Sequence, residues 1–341
     1  MKIGVVGTNF VSDMFMTGAS FVSEIEVTSV CSGKYENAVK FAEKYGINNV
    51  YHNYIEMLES DTIDAVYLAT PNSTHYQMTV ECLKRKFPVF CEKPLASNYQ
   101  QVKEMIEVAK ENNVHLHDGT VPLYSPNLKV IKEYLNKIGR IRKAIFIFGK
   151  YSSRYDAYLN GENPTTFRRD LCNGSIMDLG VYAIADAVAL FGKPEKIYAT
   201  AQLLDTGVDC AGTIIFSYPN FEVVILHSKV TDTKLISEIQ GEKGNLYIPM
   251  LSKLEKIYYQ PREGSGKVIY NDNEGMISVG QDYDHQFANQ LRDFVYCCKN
   301  GLVESEVNPF SQILDIHEVL TECRLQSKVV FDCDKGVKYE K

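Results

Sequence analysis

Features that mark several functional classes are missing from this sequence. Its 341 residues carry a net charge of −7 and contain no basic block, which argues against a nucleic-acid or anionic-membrane partner. No apolar run approaches the roughly 20 residues that a bilayer span needs. The segment Met1–Gly7 is too short an apolar stretch for a signal peptide and is expected to form a strand. We therefore expect a cytoplasmic protein.

Cysteine and histidine are present, but they lack the spacing of disulfide frameworks or metal sites. The nine cysteines include no CxxC pair, and adjacent Cys297 and Cys298 are poorly placed for a disulfide within one element. His115, His117 and His227 have no metal-like spacing with a carboxylate or a cysteine. We expect reduced, mostly buried thiols and no metal.

Strand-like and helix-like segments alternate through the first third of the chain. The predicted strands are Lys2–Val6, Glu26–Cys31, Ala65–Ala69, Pro88–Cys91 and Val114–Asp118. Such near-continuous apolar strands, each followed by a helical segment, indicate a parallel sheet covered on both faces. Right-handed crossovers then favour a doubly wound α/β sheet, which we assign to residues 1–121.

After about Pro122 the pattern changes to longer alternating β runs separated by short connections. This pattern predicts an α+β second domain, residues 122–341, with a large and mostly antiparallel open sheet. One inserted helix is predicted from about Ser175 to Phe191. Two further helices, Tyr283–Asn300 and Pro309–Ser327, are predicted to close the chain.

The first βα turn is a degenerate dinucleotide-binding fingerprint. In Gly7-Thr8-Asn9-Phe10-Val11-Ser12, the second and third glycines of G-x-G-x-x-G are replaced by Asn9 and Ser12. Asparagine tolerates positive φ, and serine is small and able to cap a helix. A pyrophosphate would lie on the helix N-terminus that follows. The alternative is a plain strand–turn–helix without a ligand.

The second strand ends in Cys31-Ser32-Gly33-Lys34, without the carboxylate that holds the ribose of NAD. Ser32 and Lys34 could instead hold a 2′-phosphate, which favours NADP over NAD. Lys34 could equally be a solvated loop lysine.

A lysine, a carboxylate and a proline follow the fourth predicted strand, in Phe90-Cys91-Glu92-Lys93-Pro94-Leu95. Ligands bind at the carboxyl ends of strands in open α/β sheets. A lysine there can polarise a carbonyl or an alkoxide. This motif therefore adds chemistry to a nucleotide-binding fold.

Together with three further segments, these motifs resemble the Gfo/Idh/MocA oxidoreductases over nearly the whole chain. The segments are Ala69-Thr70-Pro71-Asn72-Ser73-Thr74-His75, Gly174-Ser175-Ile176-Met177-Asp178-Leu179-Gly180-Val181-Tyr182 and Gly241-Glu242-Lys243-Gly244. The resemblance implies a Rossmann domain, an NAD(P)-dependent redox reaction on a sugar, polyol or related alcohol, and oligomer contacts through the C-terminal sheet. A homodimer or homotetramer is expected.

Site residues follow from the resemblance one position at a time. The family's catalytic lysine corresponds to Lys93. Its substrate-facing aspartate corresponds to Asp178, and its acid/base residue corresponds to Tyr182. Tyr182 replaces the histidine of many members and resembles the dihydrodiol dehydrogenase and glucose–fructose oxidoreductase subset. A frequent family aspartate is Ala185 here, with Asp186 one position late. The expected cofactor residues are Gly7, Thr8, Asn9, Phe10, Val11, Ser32, Lys34, Thr70, Pro71, Asn72, His75, Glu92, Lys93 and Pro94.

Asp178 and Tyr182 are four residues apart in a helical segment, so their side chains share one face. A nearby ammonium would lower the pKa of the tyrosine. We hypothesise that Tyr182 transfers the hydroxyl proton, that Lys93 stabilises charge on the substrate oxygen, and that Asp178 orients hydroxyls. The alternatives are a core role for Tyr182, a helix cap or brace for Asp178 and a packing or capping role for His75.

Two other functions compete with a sugar or diol dehydrogenase. A regulator of the same fold could sense nucleotide or sugar without turnover, although it need not keep Lys93 and Tyr182 together. Glycoside cleavage through transient oxidation would need further groups that the sequence does not reveal.

Overall fold

The computed structural model describes residues 1–262 and 276–336. The predicted second domain, residues 122–341, therefore includes two segments, 263–275 and 337–341, that lie outside the described residues.

The N-terminal part is a six-stranded parallel sheet with strand order β3-β2-β1-β4-β5-β6. Its strands are β1 Lys2–Val6, β2 Glu26–Cys31, β3 Asn49–Tyr51, β4 Ala65–Leu68, β5 Val89–Cys91 and β6 Leu116–Asp118. Its helices are α1 Phe10–Ala19, α2 Tyr35–Tyr45, α3 Tyr54–Leu58, α4 Asn72–Lys84 and α5 Tyr99–Asn112. This strand order is that of the Rossmann fold, which confirms the predicted doubly wound sheet. The short edge strand β3 was not predicted, because only three residues pair with β2.

The second part is built on an eight-stranded sheet with order β14-β13-β12-β11-β7-β10-β9-β8. Its strands are β7 Ile141–Gly149, β8 Lys196–Leu203, β9 Asp209–Ser217, β10 Glu222–Ser228, β11 Ser237–Gly241, β12 Gly244–Ile248, β13 Tyr258–Pro261 and β14 Ile277–Ser278. Among the described strand pairs of this sheet, β7 and β10 pair in parallel and the others are antiparallel. The predicted mostly antiparallel sheet is confirmed.

The remaining α-helices of the described residues follow the N-terminal sheet in the chain. They are α6 Pro126–Leu135, α7 Tyr155–Leu159, α8 Val181–Phe191, α9 Gln286–Lys299 and α10 Phe310–Gln326. A π-helical turn, Ile176–Gly180, leads directly into α8. The predicted single helix from Ser175 to Phe191 is thus continuous but changes its period near its start.

The last two helices return to the N-terminal sheet. On α9, Phe287, Leu291 and Phe294 are buried in one core cluster with Ile3 and Phe15. Phe310 and Ile313 of α10 join the cluster on the other side of the same sheet. The boundary at residue 121 stays a prediction, because part of the core around the N-terminal sheet comes from the far end of the chain.

By length and composition alone, the helical stretch Arg169–Phe191 could cross a membrane, with a mean hydropathy of 1.5. Seventy-eight per cent of its apolar window is buried inside the protein. This burial is that of a core helix, and its apolar side chains fill the space between α10 and the larger sheet.

Candidate active site

Two cavities meet at the carboxyl ends of the N-terminal strands. The larger, about 740 Å³, follows β1, β2, β4 and β5. The other, about 630 Å³, lies between the N-terminal domain and the larger sheet. Glu92, Lys93, Thr166 and Asp178 border both. We call the larger one the cofactor cavity and the other one the substrate cavity.

Most of the predicted cofactor residues line the larger cavity. They are Gly7, Thr8, Asn9, Val11, Ser32, Thr70, Pro71, Asn72, His75, Glu92 and Lys93. Three do not line it. Phe10 is 74% exposed and borders the substrate cavity, Lys34 is an exposed residue ahead of α2, and Pro94 is buried beneath the Lys93 turn.

The β1–α1 turn works differently from its prediction at two positions. Gly7 has φ +103°, and a Cβ there would lie 2.2 Å from the carbonyl oxygen of Ala69, so only glycine fits. Asn9 has an ordinary φ of −89° and caps α1, with its Oδ1 accepting a hydrogen bond from Val11 N at 2.9 Å. Ser12 does not cap the helix; its hydroxyl donates to Gly7 O at 2.8 Å. Asn9 therefore replaces a glycine through its capping side chain.

Sequence reasoning missed the side chains at the far end of the cofactor cavity. Asn37, His52, Asn53 and Tyr54 line it beside Ser32. They come from α2 and from the segment after β3, the strand that the sequence did not reveal. No carboxylate borders this end, since the carboxyl groups among the lining residues are Glu92 and Asp178.

His75 is a buried brace between two strand ends. Its Nδ1 lies 3.0 Å from the carbonyl oxygen of Pro94, and its Nε2 lies 2.9 Å from that of Thr70. Burial lowers the pKa of His75, although both carbonyls favour the proton. The ring thus lies between the segment after β4 and the Lys93 turn, and in its neutral form it donates to one of these two carbonyl oxygens at a time.

Lys93, Asp178 and Tyr182 do come together. The Lys93 ammonium donates to Asp178 Oδ1 at 2.7 Å and to the Asp178 backbone carbonyl at 3.0 Å. It also lies 4.7 Å from the centre of the Tyr182 ring. On the other side, Lys229 is ion-paired with Asp178 Oδ2. One carboxylate is therefore held between two lysines.

Burial and the neighbouring charges shift the pKa values of these groups in opposite directions. Burial opposes charge on Asp178, but Lys93 and Lys229 hold the pKa of this carboxyl well below its usual range. Burial likewise opposes charge on Lys93, yet Asp178 outweighs it and the pKa of Lys93 is raised. For Tyr182, burial raises the pKa and Lys93 only partly offsets it. The predicted lowering of the tyrosine pKa is wrong in net direction, because desolvation of the phenolate is the larger effect.

Glu92 lies behind Lys93. Its Oε1 accepts a hydrogen bond from the Tyr67 hydroxyl at 2.8 Å, and its Oε2 lies 3.3 Å from the Lys93 backbone N–H. Burial raises the pKa of Glu92 to about 7, against the lowering effect of these contacts. This carboxyl group therefore changes charge near neutral pH beside the lysine.

The structure adds one residue to the predicted site and places another residue away from it. Lys229 was missed, since a lone lysine after β10 becomes notable only when β10 is known to lie beside β7. Asp186 is 1% exposed inside α8 and borders neither cavity, so it does not stand in for the family carboxylate expected at position 185.

Comparison with known proteins fits this geometry. Residues 1–120 match the oxidoreductase family model with an NAD-binding Rossmann fold, and residues 131–247 match the GFO/IDH/MocA C-terminal domain model. An uncharacterized oxidoreductase of Escherichia coli, YgjR, is 39% identical, covering 98% of each chain. The NADP(+) scyllo-inositol 2-dehydrogenase IolU of Bacillus subtilis is 36% identical, covering 98% of this chain and 100% of that protein.

More distant proteins agree. The trans-1,2-dihydrobenzene-1,2-diol dehydrogenase of Mus musculus is 28% identical over 98% of this chain and 99% of that protein. The fold matches that of KijD10, a 3-ketoreductase from Actinomadura kijaniata solved with NADP and TDP-benzene, with a TM-score of 0.83, 20% identity and coverage of 96% and 97% of the two chains. None of these similarities supports a non-catalytic regulator. The chain belongs to the Gfo/Idh/MocA family and is an NAD(P)-dependent oxidoreductase.

Proposed function

We propose that this enzyme prefers NADP and interconverts a ring or chain alcohol of a polyhydroxylated substrate with its carbonyl. The observation that carries the proposal is the convergence of Lys93, Asp178 and Tyr182 where the two cavities join. IolU, whose name specifies NADP and scyllo-inositol, is a full-length relative.

The residues of the larger cavity fit a dinucleotide. The N-terminus of α1 borders this cavity at Asn9 and Val11, its helix dipole favours a pyrophosphate there, and Gly7 keeps the turn tight. Ser32, Asn37 and His52 offer hydrogen-bond donors for a 2′-phosphate, and among the described residues no carboxylate lines that end of the cavity. Lys34 is exposed next to this end and adds positive charge at most from outside.

When bound, the nicotinamide accepts or supplies the hydride. Lys93 stabilises negative charge on the substrate oxygen, and its raised pKa keeps it cationic at neutral pH. Tyr182 donates a proton to that oxygen during carbonyl reduction or accepts the hydroxyl proton during oxidation. Asp178 acts chiefly as a positioning residue, since its two oxygens hold Lys93 and Lys229.

The first test uses scyllo-inositol and a panel of aldoses and dihydrodiols, with NADP and NAD supplied separately. We expect turnover with a higher kcat/KM for NADP. Lys93→Met should lower kcat by about 100- to 1,000-fold, the usual loss for one charge-stabilising group, while the Kd for NADP changes little.

Lys84→Met provides the matched control, because Lys84 is an exposed residue at the end of α4 and borders neither cavity. Near-normal rates for Lys93→Met would refute its assigned role. A clear preference for NAD would refute the cofactor proposal and leave the catalytic one standing.

A homo-oligomer and a cytoplasmic location remain part of this proposal. Large exposed apolar side chains on the larger sheet, including Tyr198 at 58% and Ile277 at 51%, support assembly through that sheet. Light scattering coupled to size-exclusion chromatography measures the state directly.

A further inference from the structure

The substrate cavity is lined by more positive than negative side chains. Its cations come from both domains, whereas its carboxyl groups are Glu92 and Asp178 alone among the described lining residues. The cations are Lys93, Lys150, Arg154, Lys229 and Lys253. A neutral polyol does not require so many positively charged side chains around it.

Local pairing leaves two of these cations without a carboxylate. Asp178 is shared by Lys93 and Lys229, and Lys253 lies 3.2 Å from Glu255. Within residues 1–262 and 276–336, no carboxylate oxygen lies within ion-pair distance of Lys150 or Arg154. Their charges are therefore available to a ligand in the cavity.

The segment that carries these two cations is fixed to the reactive centre. Lys150 N donates to Ser228 O at 2.9 Å, and Ser152 N donates to Lys229 O at 2.8 Å, which extends the parallel pairing of β7 and β10. Lys229 in turn is ion-paired with Asp178, the partner of Lys93. Upstream, the ring of Phe148 packs 5.8 Å from that of Tyr182.

Nearby carboxylates are already engaged outside the cavity. Asp232 accepts a hydrogen bond from Tyr151 N at 2.9 Å, and Asp156 accepts one from the Tyr151 hydroxyl at 2.7 Å. Neither borders the substrate cavity. They hold Tyr151 in place, while the nearby Lys150 and Arg154 line the cavity.

We propose that the preferred substrate is an anionic polyhydroxylated molecule, with its carboxylate or phosphate group bound by Lys150 and Arg154 while its alcohol or carbonyl meets Lys93 and Tyr182. This inference rests on the proposed function and narrows its substrate class. Guanidinium and ammonium groups bind either anion by charge-assisted hydrogen bonds. A dianionic phosphate and a carboxylate would therefore bind at the same site but with different affinity.

Matched pairs of probes test the charge directly in the full-length enzyme with NADP. D-gluconate is compared with D-glucitol for a carboxylate, and D-glucose 6-phosphate with D-glucose for a phosphate, by kcat/KM and by thermal shift. We expect at least one anion to exceed its neutral partner by about 10- to 100-fold in kcat/KM, the effect of one or two charged hydrogen bonds. The advantage should shrink as salt is raised.

Variants assign the advantage to its residues. Lys150→Gln with Arg154→Gln should reduce the ratio of anion to neutral kcat/KM about 10-fold or more and abolish the anion-dependent thermal shift. Lys84→Gln, which removes one positive charge outside both cavities, should leave the ratio unchanged.

The failures are distinguishable. If scyllo-inositol or D-glucitol is oxidised but neither anion has an advantage in rate or binding, the charge proposal is overturned and the dehydrogenase function stands. An anion advantage that survives the double variant also overturns it. If no probe turns over and neither anion shifts the melting temperature in a manner dependent on Lys150 and Arg154, the proposal is equally wrong.

Discussion

Asp178 sets the charge of the reactive centre at the scale of single residues. Although its side chain is 39% exposed, both of its oxygens contact lysines, and its backbone carbonyl also accepts from Lys93. The two lysines and Asp178 together carry one net positive charge beside the Tyr182 ring, which Glu92 offsets when it is ionised. This excess charge suits an oxygen that becomes negative during reaction.

Tyr182 gives a prediction about pH. Because burial raises its pKa, Tyr182 is protonated at neutral pH and is ready to donate to a carbonyl. Carbonyl reduction should therefore fall in the alkaline range, while alcohol oxidation should rise there. Tyr182→Phe should lower both rates by about 100- to 10,000-fold and remove the alkaline limb, as measured by kcat against pH.

Phenylalanine at position 182 keeps an aromatic ring beside Lys93 and Phe148, so the variant loses the hydroxyl group but retains the packing of the ring. An unaltered pH profile would return Tyr182 to a core-packing role.

At the scale of elements, the π-helical turn before α8 distinguishes this segment from a regular helix. Turns of this kind are frequent at functional sites. Ile176 and Met177 on it are fully buried, while Asp178 reaches the junction of the cavities. Asp178 and Tyr182 thus both meet Lys93, as their spacing of four predicted, although the backbone between them is not a regular α-helix.

Within α8, Asp186 is expected to make stability depend on pH. Both of its carboxylate oxygens are buried without a hydrogen-bond partner among the described residues, and burial raises its pKa well above the ordinary value. The folded state therefore keeps a proton that the unfolded chain releases above about pH 4, so this group's stabilising contribution is lost as pH rises. Asp186→Asn should remove that loss.

The free energy of unfolding of Asp186→Asn, measured in urea between pH 5 and 8, should gain on the wild type by up to about 1.4 kcal/mol per pH unit. Asp205→Asn, a change at an exposed carboxylate, serves as control. Parallel curves for wild type and Asp186→Asn would contradict the assignment.

At the scale of the whole molecule, α9 and α10 make the N-terminal domain depend on the end of the chain. Phe287, Leu291 and Phe294 complete one core cluster of that domain, and Phe310 and Ile313 complete the other. A fragment of residues 1–121 would expose apolar surface that these side chains cover.

We therefore expect the fragment 1–121 to lack a cooperative thermal transition and to bind a hydrophobic dye. In the full chain, Leu291→Ala should cost about 2–5 kcal/mol, as for other large-to-small core changes. A fragment that melts cooperatively and binds NADP would show that the boundary at 121 separates an autonomous domain.

The sequence by itself determined most of the strands and helices and the chemical identity of the centre, although it did not reveal β3 or β14. Long apolar strands and the segment around Lys93 depend on local pattern, and local pattern is readable in one dimension. Asp178 and Tyr182 were predicted from the resemblance to the Gfo/Idh/MocA family, and their spacing of four on a helix added that they share one face.

Only the tertiary structure decided what surrounds that centre. Lys93 and Asp178 are 85 residues apart, and Asp178 and Lys229 are 51 apart, so no local pattern records their contacts. The direction in which the pKa of Tyr182 shifts depends on its burial in the folded protein. The placement of Lys150 and Arg154 along the substrate cavity depends on the pairing of β7 with β10. Burial and long-range pairing arise only when distant segments meet, which is why the sequence supplied the reactive groups and the fold set their charges.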